Sequence, residues 1–250
     1  MSKNALVVSI LALVVAVGAI ILPFVIPGED GSAAVDLSSV ERRLDALEST
    51  PAGQLKVGYV NITDVARDAF YPLADDERAL ATSLSDQRGQ LQGSLQRGEI
   101  SETEYISRSH EIRAQLLRAQ VSTLSATLAE MLRADDLMSA SDRVTALQMQ
   151  EAISQYGTLI DQLLSMVLLG TTAAEVVETN MDAAEAQFQS VDNLVTQLVG
   201  SIIGTQARAF AIENEYDLVL VEESSLIYGD PAATEDVSDS LVERIGTIFE

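Results

Sequence analysis

The chain has no cysteine, no tryptophan and a single histidine, His110. Without cysteine there is no disulfide, nothing to report the redox state of the compartment, and no zinc site of the usual thiolate kind. One histidine alone on a helix reads as a solvent-facing or seam-edge residue rather than a ligand. Aromatic residues make up 4% of the chain, too few for a wide globular core. Lysine is nearly missing, with only Lys3 and Lys56 present. The 38 acidic residues outnumber the 15 basic ones and give a formal charge of −23, which excludes nucleic acid and anionic lipid headgroups as electrostatic partners. An acidic, lysine-poor surface fits a salt-loving host and an ordinary acidic protein equally well.

Enzyme signatures are missing too. No glycine-rich phosphate loop follows a strand, and Gly200 and Gly204 sit inside a heptad run. The acidic pairs Asp75-Asp76, Asp135-Asp136 and Glu222-Glu223 fall at helix starts and turns, where carboxylates cap and solvate. No residue is assigned to catalysis, to a metal or to a cofactor, and the chain reads as a non-enzyme.

What the chain has in abundance is helical periodicity. From Met149 to Ile212 a position falls at alternating steps of four and three through nine heptads, and only Gly170 and Thr205 on it are not apolar. Such spacing marks a long helix in a supercoiled pair or bundle. At ~1.5 Å per residue the rod would be roughly 95 Å long and would need a partner to cover its stripe.

Residues Ala5 to Ile26 carry no charge and are long enough to span a bilayer, which takes about 20 residues. This predicts an anchor within 1–28, with the amino terminus cytoplasmic and the bulk outside the cell membrane. A cleaved secretory signal ending near Ser32-Ala33-Ala34 is the competing reading. Residues 29–54 read as a linker and a short membrane-proximal helix, with Leu37, Val40, Leu44 and Leu47 on one face.

Residues 55–62 predict a strand, and 216–250 predict two more, Tyr216 to Val221 and Leu226 to Tyr228, before a last helix on which Val237, Leu241, Ile245 and Ile248 share a face. Between them, 63–215 read as a helical hairpin. An outgoing arm kinks at Pro72 and bends at Gly98, where Ser101 to Glu104 form a new capping box. The tip falls near 134–141, and the return arm carries the long seam. The fold expected is mostly α with a small antiparallel β base, an α+β arrangement, with a long coiled-coil hairpin inserted between the base strands. Three short strands are marginal alone. Assembly of copies is therefore expected through Val57, Tyr59, Val60, Leu218, Leu220, Leu226 and Tyr228. Leu164, Met166, Leu168 and Leu169 widen the apolar stripe off the seam and are the candidate client contacts.

Lys56 to Asn61 (KVGYVN), Asp64-Val65, Tyr71-Pro72, Tyr216 to Leu220 (YDLVL), Leu226 to Tyr228 (LIY) and Asp236 to Leu241 (DVSDSL) resemble the OmpH/Skp family of extracytoplasmic chaperones. The resemblance covers the base, about a quarter of the chain, and extends to the hairpin plan between. It implies a homotrimer whose strands form a central barrel. Helical hairpins would hang around a cavity for unfolded membrane or secreted proteins, without nucleotide or enzymatic activity. The chain departs from the family pattern in being acidic and anchored, with longer arms. The leading expectation is a membrane-anchored, ATP-independent holdase whose partners are itself and unfolded exported proteins. A membrane-tethered structural spacer or scaffold of the cell envelope is the alternative. A stalk with a specific partner at Ala134–Ser141 is a third.

Overall fold

The computed structural model describes residues 56–134, 136–170, 172–222 and 234–249. The expected span Ala5–Ile26, the helix around Leu37–Leu47 and the expected strand Leu226–Tyr228 lie outside the described residues. No helix among the described residues is long and apolar enough to cross a membrane. The chain divides into two units.

One unit takes Leu73–Leu132 and Val144–Thr196. It contains helix α2 (Asp75–Gln96), nearly all of α3 (Glu102–Arg133), most of α4 (Ala140–Leu169) and the first part of α5 (Ala174–Glu213). Where the seam predicted one helix from Met149 to Ile212, the chain reverses at Gly170, whose φ of 59° only glycine adopts without strain. Gly98, φ 71°, is likewise a full reversal rather than a bend. The amide of Gly98 returns to the carbonyl of Leu95 and that of Glu99 to Ser94, which is a Schellman stop. The expected two arms are therefore four helical segments that alternate in direction. The physical reason is that heptad spacing records which face is buried and not which way the chain runs. Val167 and Ala174 are seven residues apart across the turn, so the phase survives the reversal.

The stripes cover one another. Leu117, Leu124, Leu128 and Met131 on α3 are buried, as are Ile153, Tyr156, Ile160 and Leu163 on α4 and Val177, Met181, Ala184 and Val191 on α5. Helix α2 joins this core least. It buries two residues, Leu84 and Leu91, against ten for α3 and nine for α4. Full burial of two leucines is worth roughly 3–6 kcal/mol, so α2 is the most weakly anchored of these three helices.

The other unit takes 56–72, Arg133–Arg143 and 197–249 among the described residues. Strand β1 (Val57–Val60) is central, flanked by β2 (Leu218–Val221) and β3 (Thr234–Asp236). Both pairings are parallel, Val57 opposite Leu218 and Val57 opposite Thr234, which corrects the expected antiparallel base. The cause is the exit from α5. Glu215, at φ 57°, ends the helix in a left-handed residue, and the amide of Tyr216 bonds the carbonyl of Ala211. This Schellman turn reverses the chain before β2 begins.

Asn61 ends β1 and starts the next helix. Its side-chain oxygen accepts from the amide of Asp64 and caps α1 (Ile62–Val65). Pro72 has no amide to donate and its ring crowds the carbonyl four residues back. The ladder accordingly widens over Ala66–Phe70, tightens over Tyr71–Ala74 and restarts as α2. Helix α6 (Ser238–Phe249) lays Leu241 and Ile245 with Val65 and Phe70 in the core of this unit, and the Phe70 and Phe249 rings meet edge to face. Gly58 leaves little room here: a side-chain carbon at that position would sit 3.2 Å from the side chains of both Tyr216 and Val237.

The segment 134–141, expected as the tip of the hairpin, belongs to this same unit. Leu137 is fully buried, and Gln206 donates to the carbonyls of Asp136 and Leu137 at 3.1 and 2.8 Å. Gln206 in turn accepts from Arg244 of α6 at 3.0 Å. Ser139 caps α4 through the amide of Asp142, at 3.1 Å.

Candidate functional site

The sheet has two unlike faces. In a parallel register alternate residues point the same way, so Gly58 and Val60 share one face and are buried, while Val57 and Tyr59 on the other are half-buried. Leu218 and Leu220 stand opposite Val57 and Tyr59 and share their face, Leu218 exposed and Leu220 half-buried. Four of the seven residues expected at an assembly base thus lie together on this face, apolar toward β2 and bordered on the other side by Thr234 and Asp236 of β3. Val60 does not join them, since it points into the core. Leu226 and Tyr228 lie outside the described residues.

The strands are drawn together by polar groups at their ends. The Asn61 amide donates to Ser238 Oγ, and Asn61 Nδ2 donates to Glu222 Oε2, both at 2.9 Å. The Tyr216 hydroxyl donates to Glu235 at 2.5 Å. Burial, with the Glu235 carboxylate beside it, pushes that hydroxyl up to about 12.

In the helical unit the expected client contacts separate. Met166 is buried in the core and Leu164 is half-buried. Leu168 and Leu169, at 61% and 71% exposure, close α4 beside the Gly170 turn. Met166, off the four-three spacing, is nevertheless buried. A helix with neighbours on more than one side buries adjacent positions such as Leu163 and Met166.

The feature that sequence reasoning missed lies between α3 and α5. Arg113 Nη1 donates to Glu178 at 2.7 Å, Nη2 to Asp182 at 2.8 Å and Nε to Glu185 at 2.9 Å. The other oxygen of Glu178 lies 2.6 Å from His110 Nε2. The Arg113 side chain is 10% exposed, whereas the three carboxylates reach solvent. His110 is thus a buried seam-edge residue with a carboxylate partner. Arg113 bonding holds the Glu178 carboxyl below its ordinary value, opposed by partial burial and assisted by His110. The signal in the sequence was the i, i+4, i+7 spacing of Glu178, Asp182 and Glu185, which lines three acids along one face of α5.

Compared with protein-family models, curated proteins and solved structures, the chain finds no match. Its function is therefore argued from these surfaces. Among the described residues no group of histidines and carboxylates could hold a metal ion. Arg113 offsets part of the charge of its three carboxylate partners and fastens two helices.

A cleft of about 470 Å³ opens between α2, α3 and α5, lined by Arg88, Leu116, Leu117, Glu185, Phe188 and Gln189 among others. A second, of about 400 Å³, runs between α2 and α3 past Leu91, Ile100 and Ile112.

Proposed function

We propose that the chain is a non-enzymatic, ATP-independent holdase for unfolded exported proteins, tethered to the membrane through Ala5 to Ile26 and assembled with copies of itself through one face of its sheet. The observation that carries this reading is the pairing of Val57 with Leu218 and of Tyr59 with Leu220. It joins two of the stretches that resemble OmpH/Skp and sets four of their residues on one face, next to Thr234 and Asp236 of β3. A trimer is the number implied by that resemblance. The test is light scattering from a chemically unfolded client protein during dilution, with the full chain held in lipid nanodiscs. Suppression without ATP at stoichiometric ratios is expected, and no suppression at any ratio rejects the proposal.

A second reading, a membrane-tethered spacer of the cell envelope, is favoured by one observation. The helical stripes are covered by their own neighbours, and the expected client patch reduces to Leu168 and Leu169. A spacer would leave client aggregation unchanged in the same assay.

A further inference from the structure

The two outer strands of the sheet are joined by a connection that has to cross the middle one. Strands β2 and β3 flank β1, and both run parallel to it. The eleven residues 223–233, outside the described residues, therefore lead from the end of β2 back to the start of β3 and pass β1 on one side of the sheet. That path is about 10 Å across two strand spacings and about 13 Å back along four residues. Eleven extended residues reach roughly 36 Å, so chain length permits either side.

Two observations choose the side. The side with Gly58 and Val60 is filled, since a side-chain carbon on Gly58 would meet Tyr216 and Val237 at 3.2 Å and Val60 is 2% exposed. The Tyr216 ring, between α5 and β2, lies on this same side, so the chain arrives at β2 from it. Connections between parallel strands of one sheet are right-handed in about 98% of cases. With β1 to β2 right-handed on the filled side, the connection from β2 to β3 travels the opposite way across the sheet. It is right-handed only on the other side.

We infer that residues 223–233 of the same chain dock across the face formed by Val57, Tyr59, Leu218 and Leu220. Leu226-Ile227-Tyr228 is the apolar run of this segment and falls near its middle, where the path passes β1. An apolar run thereby meets the side of the face that is apolar, toward β2. The consequence for assembly rests on the proposed function: copies that meet on this side of the sheet meet the docked segment, and the four sheet residues are its seat.

The chain has no cysteine, so introduced thiols report alone. The test is crosslinking of the full chain in detergent with a short bis-maleimide, in two double variants. One carries Tyr59→Cys with Ile227→Cys, the other Glu243→Cys with Ile227→Cys, Glu243 being exposed on α6. Mixing heavy-isotope and light chains tells links within a chain from links between chains. The Tyr59 pair is expected to link within one chain at least tenfold faster than the Glu243 pair. Faster linking to Glu243, linking of neither pair, or Tyr59 links found only between chains each overturns the inference. A second measurement leaves the sheet residues unaltered: replacing Leu226, Ile227 and Tyr228 together by serine should raise carbene labelling of Val57 and Leu220 at least threefold, with Ile212 unchanged. Unchanged labelling of Val57 and Leu220 overturns the inference as well. Tyr59 links within one chain, with a single-chain mass at every concentration, reject assembly alone. A multiple of the chain mass with Glu243 linked instead rejects the docked segment alone.

Discussion

The backbone amide of Lys56 donates to a carboxylate oxygen of Asp217 at 2.8 Å, although 161 positions separate them. The Lys56 ammonium also bonds the carbonyl of Asn214 at 2.8 Å and lies 4.1 Å from the centre of the Tyr216 ring. One of the two lysines in the chain therefore latches the start of β1 to the approach of β2. A cation over an exposed ring contributes about 0.5–1 kcal/mol, and the hydrogen bond adds to it. Lys56→Ala should lower the unfolding free energy by about 1 kcal/mol in urea titrations. An unchanged midpoint would remove the latch from the account.

Arg113→Ala should be among the most damaging single changes in the helical unit. It leaves Glu178, Asp182 and Glu185 facing one another along α5 without their shared cation. Breaking a fully buried ion pair costs ~3–5 kcal/mol. The carboxylates here reach water, so about 2 kcal/mol is expected. Arg113→Lys should recover only part, because one ammonium cannot address three carboxylates along separate directions as a guanidinium does. Equal stability of the lysine variant and the parent contradicts this geometry.

Acid stability has two opposing contributions. The Glu178 carboxyl is depressed by Arg113 in the folded chain. Its contribution is complete above the unfolded carboxyl value near 4.5 and is lost as pH falls through the folded value. Asp192 is raised, because burial outweighs the nearby Arg78. Its charge weakens the fold at neutral pH, and that loss is recovered as pH falls through its folded value toward the unfolded one near 3.8. Melting curves between pH 7 and 3 should show Glu178→Gln less stable than the parent at pH 7, with the gap closing in acid. Asp192→Asn should be more stable than the parent at pH 7, with its gap also closing in acid. Gaps of the opposite sign would reject these assignments.

Gln187 is 8% exposed, and neither its amide nitrogen nor its oxygen has a hydrogen-bond partner. An unsatisfied buried polar group costs about 1–3 kcal/mol. Gln187→Leu, close in volume, should raise the melting midpoint by several degrees. A fall in midpoint would mean that this amide is satisfied in solution.

Local signals in the sequence were legible wherever they were chemical. Ser101 caps the helix that follows it through the amide of Glu104, and of Ser139 and Ser141, both suited to cap α4, Ser139 does so through the amide of Asp142. The β-branched and aromatic character of Val57–Val60 and the apolar run Leu218–Val221 mark both strands, and the last helix buries Leu241 and Ile245 as its spacing requires. Direction was not legible. Gly170 occupies a heptad position, so a turn there preserves the apolar phase and reads as uninterrupted helix. Strand polarity depends on the single left-handed residue Glu215, which no glycine advertises. Strand β3 is masked in the sequence by a helix cap, because Asp236 does both jobs: its carboxylate accepts from the amide of Ser238 at 2.9 Å. The expected tip 134–141 looked polar, yet Leu137 and Met138 within it are buried. The Arg113 cluster joins residues 65 to 72 positions apart, a distance no local pattern spans.

Assembly through the sheet face is the claim on which the proposed activity rests. Sedimentation equilibrium of the full chain in density-matched detergent tests it most directly, comparing the parent with Leu220→Asp, which puts a charge among Val57, Tyr59 and Leu218. The account predicts a whole-number multiple of the chain mass for the parent and a single-chain mass for the variant with its helical content intact. A single-chain mass for the parent, or an undiminished multiple for the variant, would contradict it.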